Sequence, residues 1–476
     1  MSIAKKIADF QGKKVTVMGL GLHGGGVACV NWLIKHGAKV TVTDLKMKEE
    51  LISSVSKLAS LQVCKLILGR HREQDFETAN LIVQNPGVPK ESKYLKIARN
   101  AGIPIENEAS LFFKNCPAKI IGVTGTRGKS TTVSLVYEML KRSAVRNQRS
   151  GGRVWLAGLP QQPMLDILDK VEKDDLVVLE LSSWQLEILG EQKLSPHIAV
   201  FTNVYPDHLN RYKGMADYIA AKKNIFAWQK QNDFAVLNLD NPQTKKLGQA
   251  VASKRFWFSK KYFAEQNGCF VKNNQIFLRR NGQEKRLAKV SDIKLFGWHN
   301  LENVLAALAA TASFDVSPLA IESALKQFKG LPGRLELIKE KKGIKYINDT
   351  TATTPDATIA ALRLAKKRNV ILLAGGDTKN IPAAKYQELA KIIKQKCKAV
   401  ILFSGPGSEQ IKKQLKLIKY KPFIDKVNEM TSAVILAQSF GKSGDTILLS
   451  PASASFNLFI NEFDRGDQFK TITSRL

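Results

Sequence analysis

Two stretches of the chain carry residues whose types and spacing suit phosphate chemistry. The first, Gly122 to Thr132, reads GVTGTRGKSTT. Gly125 and Gly128 let the backbone turn tightly with its N–H groups pointing inward, Lys129 can reach the outer phosphates of a nucleotide, and Ser130 or Thr131 can hold Mg²⁺. The strict G-x-x-x-x-G-K-[ST] pattern would place its first glycine at position 123, where this chain has Val123. The alternative is an ordinary strand-to-helix turn with a surface lysine, and the G-K-S-T run directly after an apolar strand favours the phosphate loop. The second stretch places Gly19, Gly21 and Gly24 in a G-x-G-x-x-G pattern with Asp44 about 20 residues on. That pattern serves nicotinamide and flavin dinucleotides, and the same turn can hold any nucleotide diphosphate, so the spacing leaves both open.

Other polar residues fall where apolar runs stop. DDLVVLELSSWQLEIL delivers Glu180 to the end of a strand, and PHIAVFTNVYPDHLNRY delivers Asn203, Asp207 and His208. Later loops carry Asp349, Asp377, Lys379, Ser453 and Ser455. A single such residue could be a helix cap or a structural hydrogen bonder. Several at strand ends beside a phosphate loop point to ligand binding, because parallel α/β sheets bind ligands at the carboxyl ends of their strands.

The elements that must position these groups alternate strand and helix almost throughout, which predicts an α/β chain with parallel sheets. KVTVMGLGLHGGGVACVNWLIKHGAKVTVTD reads as strand, glycine turn, helix and strand, and LIVQNPGVPKES as another strand running into a small-residue loop. Apolar residues from Ile120 to Val123 form the strand before the phosphate loop, and helical spacing resumes from Thr131 to Leu140. CFVKNNQIFLRRNGQEKRL predicts a β-hairpin with turns at Asn273-Asn274 and Asn281-Gly282. In FKGLPGRLELI, Gly330, Pro332 and Gly333 mark a hinge, after which KYIND, NVILLAGG, KAVILFSG and DTILLS read as strands.

At 476 residues the chain is too long for one core, and 44% hydrophobic residues argue against extended disorder. No apolar run has transmembrane length and the opening MSIAKKIADFQGKK lacks a signal-peptide core, so a cytoplasmic protein without an integral membrane segment is expected. The five cysteines lie far apart without a C-x-x-C pair, which implies neither a zinc site nor a disulfide framework. The net charge of +31 comes from 73 basic residues spread along the chain. Without an arginine-rich block or an aromatic-interleaved stripe it leaves no nucleic-acid footprint; a lysine-rich source proteome is the first explanation and anionic small substrates the second, so the charge alone decides nothing.

Taken together, GVTGTRGKSTT, LELSSWQLE, NVYPDHLNRY, YIAAKKNIF, GWHNLENVLAALAA, LPGRLE, YINDTTATTPDAT, LAGGDTKN and LSPASASFNLFINEFDRGDQF resemble the Mur ligase family, in the family's order and over nearly the whole chain. The loop then matches the family's shorter T-G-T-N-G-K-[ST] cradle, with Arg127 in place of the usual Asn. The resemblance implies three domains: a Rossmann-like UDP-binding domain over 1–117, a central P-loop-type ATPase domain over 118–331, and a C-terminal Rossmann-like domain over 332–476 that brings the amino acid. The implied activity is that of the family's glutamate-adding branch, ATP- and Mg²⁺-dependent amide formation between UDP-N-acetylmuramoyl-L-alanine and D-glutamate through an acyl phosphate, by a monomer. The resemblance assigns Gly125, Thr126, Gly128, Lys129, Ser130 and Thr131 to the ATP phosphates, and Asn300 and Asn303 to the adenine side. Arg334 and Asp349 fall to phosphate and ribose. Ser130, Glu180 and His208 serve metal, and Lys222 matches a lysine that the family carbamylates, with neighbouring Lys223 as the solvated alternative. Gly21, Leu22, His23, Asp44, Asn85 and Gly87 line the UDP-substrate pocket, and Thr353, Lys379, Ser455 and Phe456 the amino-acid pocket. Contacts with ATP from beyond the hinge imply closure when ligands bind.

The chain departs from the family in three places. LAGLPQQPML stands where G-N-I-G is usual, so Leu159, Pro160 and Gln161 replace an Asn that contacts the UDP-sugar. Thr351 stands where a lysine is common, and Glu462 where an aromatic is common, with Phe463 one position later. The ligase reading survives these departures, but substrate detail does not carry over with it: L-glutamate or another amino acid as acceptor stays open, and Leu159 leaves open a non-catalytic nucleotide-binding relative.

Overall fold

The computed structural model describes residues 9–58, 64–144, 152–208, 211–295, 300–314, 316–365, 368–378, 381–421, 423–455 and 458–476. These form two compact units, one from the described residues up to Lys294 together with 300–328, the other from Leu295 and the stretch Lys329 to Leu476.

The first unit holds two sheets. β1 (Lys14–Met18), β2 (Lys39–Asp44), β3 (Cys64–Leu68), β4 (Leu81–Gln84) and β5 (Ile105–Glu106) pair in parallel in the order β3-β2-β1-β4-β5. Their β-branched runs suit strands packed on both faces. Chain order reverses beside β1, so the crevice at its carboxyl end, where the glycine turn lies, is the natural ligand position.

The second sheet contains β6 (Lys119–Thr124), β7 (Val154–Ala157), β8 (Leu176–Glu180), β9 (Ile198–Phe201), β10 (Phe234–Asn238), β11 (Lys254–Ser259), β12 (Gly268–Lys272), β13 (Gln275–Arg280) and β14 (Gln283–Lys289). Its order is β14-β13-β12-β11-β10-β9-β6-β8-β7. β6 is flanked by β8 and β9, so the phosphate loop, Glu180 and the segment after Phe201 emerge side by side. The expected hairpin is a three-stranded antiparallel meander, β12 to β14. Each of its two turns puts both central residues at positive φ: Asn273 (50°) with Asn274 (56°), and Asn281 (51°) with Gly282 (79°). That is the conformation asparagine and glycine tolerate in two-residue hairpins.

One core runs through both sheets. Trp32, Leu33, Phe112 and Phe113 of the N-terminal part share a buried cluster with Leu165, Leu168, Leu186 and Leu189 of the central part. The helix Gly25–Lys35 is tied to this central part where Trp32 Nε1 donates to Asp169 at 2.9 Å.

The second unit is a six-stranded sheet, β15 (Glu336–Lys341), β16 (Ile344–Asn348), β17 (Val370–Gly375), β18 (Cys397–Phe403), β19 (Phe423–Val427) and β20 (Thr446–Leu449), in the order β15-β16-β20-β17-β18-β19. Only β15 is antiparallel to its neighbour. β17 shows why its sequence is continuously apolar: Val370, Leu372 and Ala374 enter one buried cluster while Ile371 and Leu373 enter the cluster on the opposite face.

Candidate active site

At the carboxyl end of β1 the chain makes the glycine turn. Asp44, the last residue of β2, accepts N–H bonds from Leu20 (2.8 Å) and Gly21 (3.2 Å) on one oxygen and from Lys46 (2.9 Å) on the other. Its carboxylate therefore shapes the turn. Gly26 must be glycine, because a Cβ there would lie 2.1 Å from the Leu20 carbonyl oxygen. Asn85, after β4, bonds back to β1 through its N–H to Met18 O at 2.9 Å, and its side-chain oxygen takes the Gly87 N–H at 3.1 Å. Gly21, Asp44, Asn85 and Gly87 are thus brought to one sheet end, with half-buried Leu22 and exposed His23 in the same turn.

The phosphate loop leaves β6 and enters the helix Lys129–Ala144, two residues earlier than the helical spacing suggested. Val123 is a buried strand residue paired between Glu180 and Val200, so the strict motif's first glycine has no loop position to fill here. The loop is pinned from the end of β9. Thr126 N donates to Asn203 O (3.0 Å) and Arg127 N to Asn203 Oδ1 (2.9 Å), while Thr202 Oγ1 donates to Arg127 O (2.7 Å). Gly128 has φ 81°, and a Cβ on it would stand 2.0 Å from Asn303 Oδ1. Asn303 is oriented by its own bond to Asn300 Oδ1 at 2.9 Å. Both asparagines are buried at the start of the helix Asn300–Thr311, with Asn303 against Gly128 of the loop. Thr131 is half-buried in the first turn of the helix after the loop.

Four side chains converge past the loop: Lys129, Ser130, Glu180 and Lys222. Ser130 Oγ donates to Glu180 Oε2 at 2.6 Å, and Lys129 Nζ stands 3.8 Å from Glu180 Oε1. Lys222, on the helix Met215–Ala227, is 2% exposed; its Nζ donates to Gly125 O at 3.0 Å and lies 4.9 Å from the Tyr218 ring centre. Burial and the Lys129 charge hold its amine well below the ordinary lysine range, against the opposing pull of Asp207 and Glu180. Lys223 is exposed, so the structure separates the two lysines that sequence left as neighbours.

His208 has φ 53° and keeps Nε2 3.7 Å from Asp207. Partial burial and the surrounding Lys222, Lys129 and Arg211 charges favour its neutral imidazole, with Asp207 opposing. Its ring lies 5.3 Å from Trp184. Arg211 stacks over Trp184 at 4.8 Å, reaches Glu187 at 3.4 Å and donates to Pro86 O at 3.0 Å. It connects the His208 segment to the Asn85–Gly87 turn. Neither Arg211 nor Tyr218 was singled out from sequence, although NVYPDHLNRY contains the first; nothing in the spacing shows which strand-end residue folds back onto another sheet. Among the described residues no three His, Cys, Asp or Glu side chains cluster.

In the second unit Asp349 follows β16. Its carboxylate takes the Ser450 hydroxyl at 2.8 Å and the Leu335 N–H at 3.2 Å, and burial pushes it up to about 7. Arg334 is exposed and Thr353 half-buried. Ser455 is 1% exposed, and its hydroxyl has no hydrogen-bond partner among the described residues. Lys379 and Phe456 lie outside the described residues. Sequence reading also missed Arg465, which is fully buried on the helix Glu462–Arg475 and donates to Thr350 Oγ1 (3.1 Å), Thr350 O (2.9 Å) and Ser453 O (3.3 Å). It ties together the loops after β16 and β20, and burial lowers its guanidinium to about 10. Thr351, the departure from the family's lysine, donates its hydroxyl to Gly333 O at 2.9 Å.

Comparison with known proteins accords with this arrangement. Family models match in the order of the sheets: the Mur ligase MurD-like N-terminal domain over residues 13–107, the Mur ligase middle domain over 123–311 and the Mur ligase glutamate ligase domain over 333–453. The UDP-N-acetylmuramoylalanine--D-glutamate ligase of Roseiflexus sp. (strain RS-1) is 40% identical over 473 residues, covering 97% of this chain and 98% of that protein. The ligase of the same name from Acetivibrio thermocellus is 35% identical, covering 99% of each. Among solved structures, UDP-N-acetylmuramate-alanine ligase MurC from Thermotoga maritima aligns with TM-score 0.59 at 20% identity, covering 97% of this chain and 99% of that one. MurF ligase from Thermotoga maritima in complex with ADP aligns with TM-score 0.55 at 18% identity, covering 98% and 96%. At those identities the structures speak for the three-domain fold, and the full-length relatives speak for the family. The chain belongs to the Mur ligase family.

Proposed function

We propose that the protein is an ATP-dependent ligase that joins D-glutamate to UDP-N-acetylmuramoyl-L-alanine in the synthesis of peptidoglycan precursors. The observation that carries the chemistry is the convergence of Lys129, Ser130, Glu180 and buried Lys222 around one phosphate loop; the ligases similar over the full chain support the substrates. We assign residues 1–117 to the UDP-substrate, 118–331 to ATP and catalysis, and 332–476 to the amino acid. The protein acts as a cytoplasmic monomer on small molecules, without nucleic acid. None of the described helices is long and apolar enough to cross a membrane.

In this reading the loop amides, Lys129 and Ser130 bind the ATP phosphates, Asn300 and Asn303 face the adenine side, and Arg334 and Asp349 serve phosphate and ribose. Gly21, Leu22, His23, Asp44, Asn85 and Gly87 hold the UDP-substrate; Thr353, Lys379, Ser455 and Phe456 hold glutamate. The donor set fits Mg²⁺: Ser130 Oγ and Glu180 Oε2 are adjacent oxygens, and few protein ligands are needed by an ion that keeps waters and substrate phosphates. A carbamate on Lys222 and the neutral ring of His208 complete the set. The ion supplies neutralisation of phosphate charge.

The alanyl carboxylate of the UDP-substrate attacks the γ-phosphorus of ATP, forming an acyl phosphate as the bond to ADP breaks. The glutamate amine attacks the acyl carbon, and the tetrahedral intermediate expels phosphate as the amine loses a proton. Activation is needed because a carboxylate has no usable leaving group. The residues contribute position and charge: Lys129 faces the transferred group, and the glycine-rich amides need no reorganisation to accept it.

Phosphate release from ATP, measured with and without the UDP-substrate and with D-glutamate, L-glutamate or L-alanine, tests the reading. Release is expected only when the UDP-substrate and D-glutamate are both present. Preference for L-alanine overturns the acceptor, and release without the UDP-substrate overturns the reaction.

A further inference from the structure

Glu108 is a buried carboxyl that no step above uses. It opens the helix Glu108–Asn115, whose start is fixed by a reciprocal cap between Asn107 and Ser110. Asn107 also donates to Gln185 O at 3.2 Å, so this helix end is anchored to the central part of the chain. Glu108 is 8% exposed and makes no ion pair among the described residues. One oxygen accepts the N–H groups of Met164 (2.5 Å) and Leu165 (3.4 Å). The other lies 3.2 Å from where a Cβ on Gly25 would stand, at the first residue of the helix that follows the glycine turn. The carboxyl is therefore wedged between the glycine turn and residues 164–165.

Residues 158–164 are held against the same turn. Gly158 N donates to Gln162 O (2.8 Å) and Gln162 N to Leu159 O (2.9 Å), closing a tight loop with Gln161 at φ 62°. Pro163 Cγ lies 3.4 Å from where a Cβ on Gly24 would stand, which brings the loop's base onto the glycine turn, while Pro160, Gln161 and Gln162 are exposed. Glu108 shares a small crevice with Gly19, Gly25, Gly26, Asn85 and Pro86, three of them glycines of that turn and helix start.

We propose that Glu108 is a positioning residue for the nucleotide-diphosphate substrate: by gripping the backbone at Met164 and Leu165 it holds the loop 158–164 on the glycine turn and so shapes the substrate's binding surface. This rests on the reading of the glycine turn as the UDP-substrate site. The charged groups nearest Glu108 give it no other employment. Asp166, on the short helix Leu165–Leu168, repels its charge, and Cys29, on the helix Gly25–Lys35, is buried. Burial pushes the carboxyl up to about 7, as expected of an acid with hydrogen bonds but no cation. A group with so little ion pairing contributes through its hydrogen bonds to those two amides.

The test is steady-state kinetics on the full chain carrying E108A, E108Q or P163A, with separate titrations of the UDP-substrate and ATP and a melting curve for each. E108A should raise KM for the UDP-substrate about tenfold, the size of one lost charge-assisted hydrogen bond, with KM for ATP and kcat within about twofold. E108Q keeps an oxygen that accepts both N–H groups and should restore that KM to within about threefold of the parent protein. P163A should move the same KM in the same direction, and it decides the matter should E108A fail to fold. Equal changes in both KM values, a fall in kcat alone, or no change in a folded E108A or P163A overturns the clamp. A parent protein that binds ATP but shows no response to the UDP-substrate overturns the reading of the site instead.

Discussion

Lys222 and Asp349 show most directly how burial changes the ionisation of an ordinary side chain. A lysine combines with CO₂ only as the neutral amine, and the enclosure of Lys222 under the phosphate loop favours that form. K222A should lose activity that formate or acetate partly restores, because a free carboxylate can stand where the carbamate stood. K223A should change turnover by less than about twofold, since an exposed helix lysine contributes little. Equal losses at both positions without rescue would remove the carbamate from the scheme. At Asp349 the folded-state pKa of about 7 lies above that of an ordinary carboxylate. Its contribution is therefore fully present below the unfolded-state pKa and is lost as pH rises through about 7. The melting temperature should fall between pH 5 and pH 8, and D349N should flatten part of that slope; an unchanged slope in the mutant would assign the pH dependence to other groups. Lys129 belongs at this scale too. K129A should keep its melting curve and lose about a hundredfold or more in phosphate release.

The phosphate loop is an element whose shape is set by what packs against it. Asn303, on the helix Asn300–Thr311, occupies the space that a side chain at position 128 would need, and the positive φ there disfavours any Cβ. G128A should therefore destabilise the protein by about 1–3 kcal/mol and abolish ATP binding, measured by chemical denaturation and by titration with a non-hydrolysable ATP analogue. Retained ATP binding in G128A would show that the loop can open away from Asn303. Parts of this element were legible beforehand: the apolar run to Val123, the two glycines, Lys129 and Ser130 all stand where expected. The pins from Thr202 and Asn203 were not, because their partners, Thr126 and Arg127, lie 75 or more residues away and share no spacing with them.

At the scale of the molecule, the first two sheets depend on one another. Phe112 and Phe113, near the end of the N-terminal part, are buried in the same cluster as Leu165, Leu168 and Leu186. A fragment ending at residue 117 exposes those aromatics and should give no cooperative melt by circular dichroism, whereas a fragment ending at 328 should melt cooperatively. A sharp transition from the shorter piece would show that its own five-stranded sheet suffices. The net charge of +31 has no concentrated counterpart in the site residues, where Glu180, Asp207 and Glu187 stand among the cations.

Local order determined what could be read from the residues alone. Period-two and continuous apolar runs marked β1, β4, β6, β8, β9, β17, β18 and β20, because strands buried on both faces must be apolar throughout. Glycine, asparagine and proline marked the turns, because only certain residues tolerate their backbone angles. The phosphate loop and the strand-end residues followed from that order. Folding in three dimensions decided the rest. β5 is two residues long and β15 is largely polar; each exists through pairing with a neighbouring strand, which no local pattern encodes. That Lys222 rather than Lys223 is enclosed depends on which face of one helix meets the phosphate loop. The roles of Arg211, Arg465 and Glu108 arise from bonds to backbone atoms far away in sequence, and any backbone carbonyl or amide could have served; only the packing of distant segments selects the one that does.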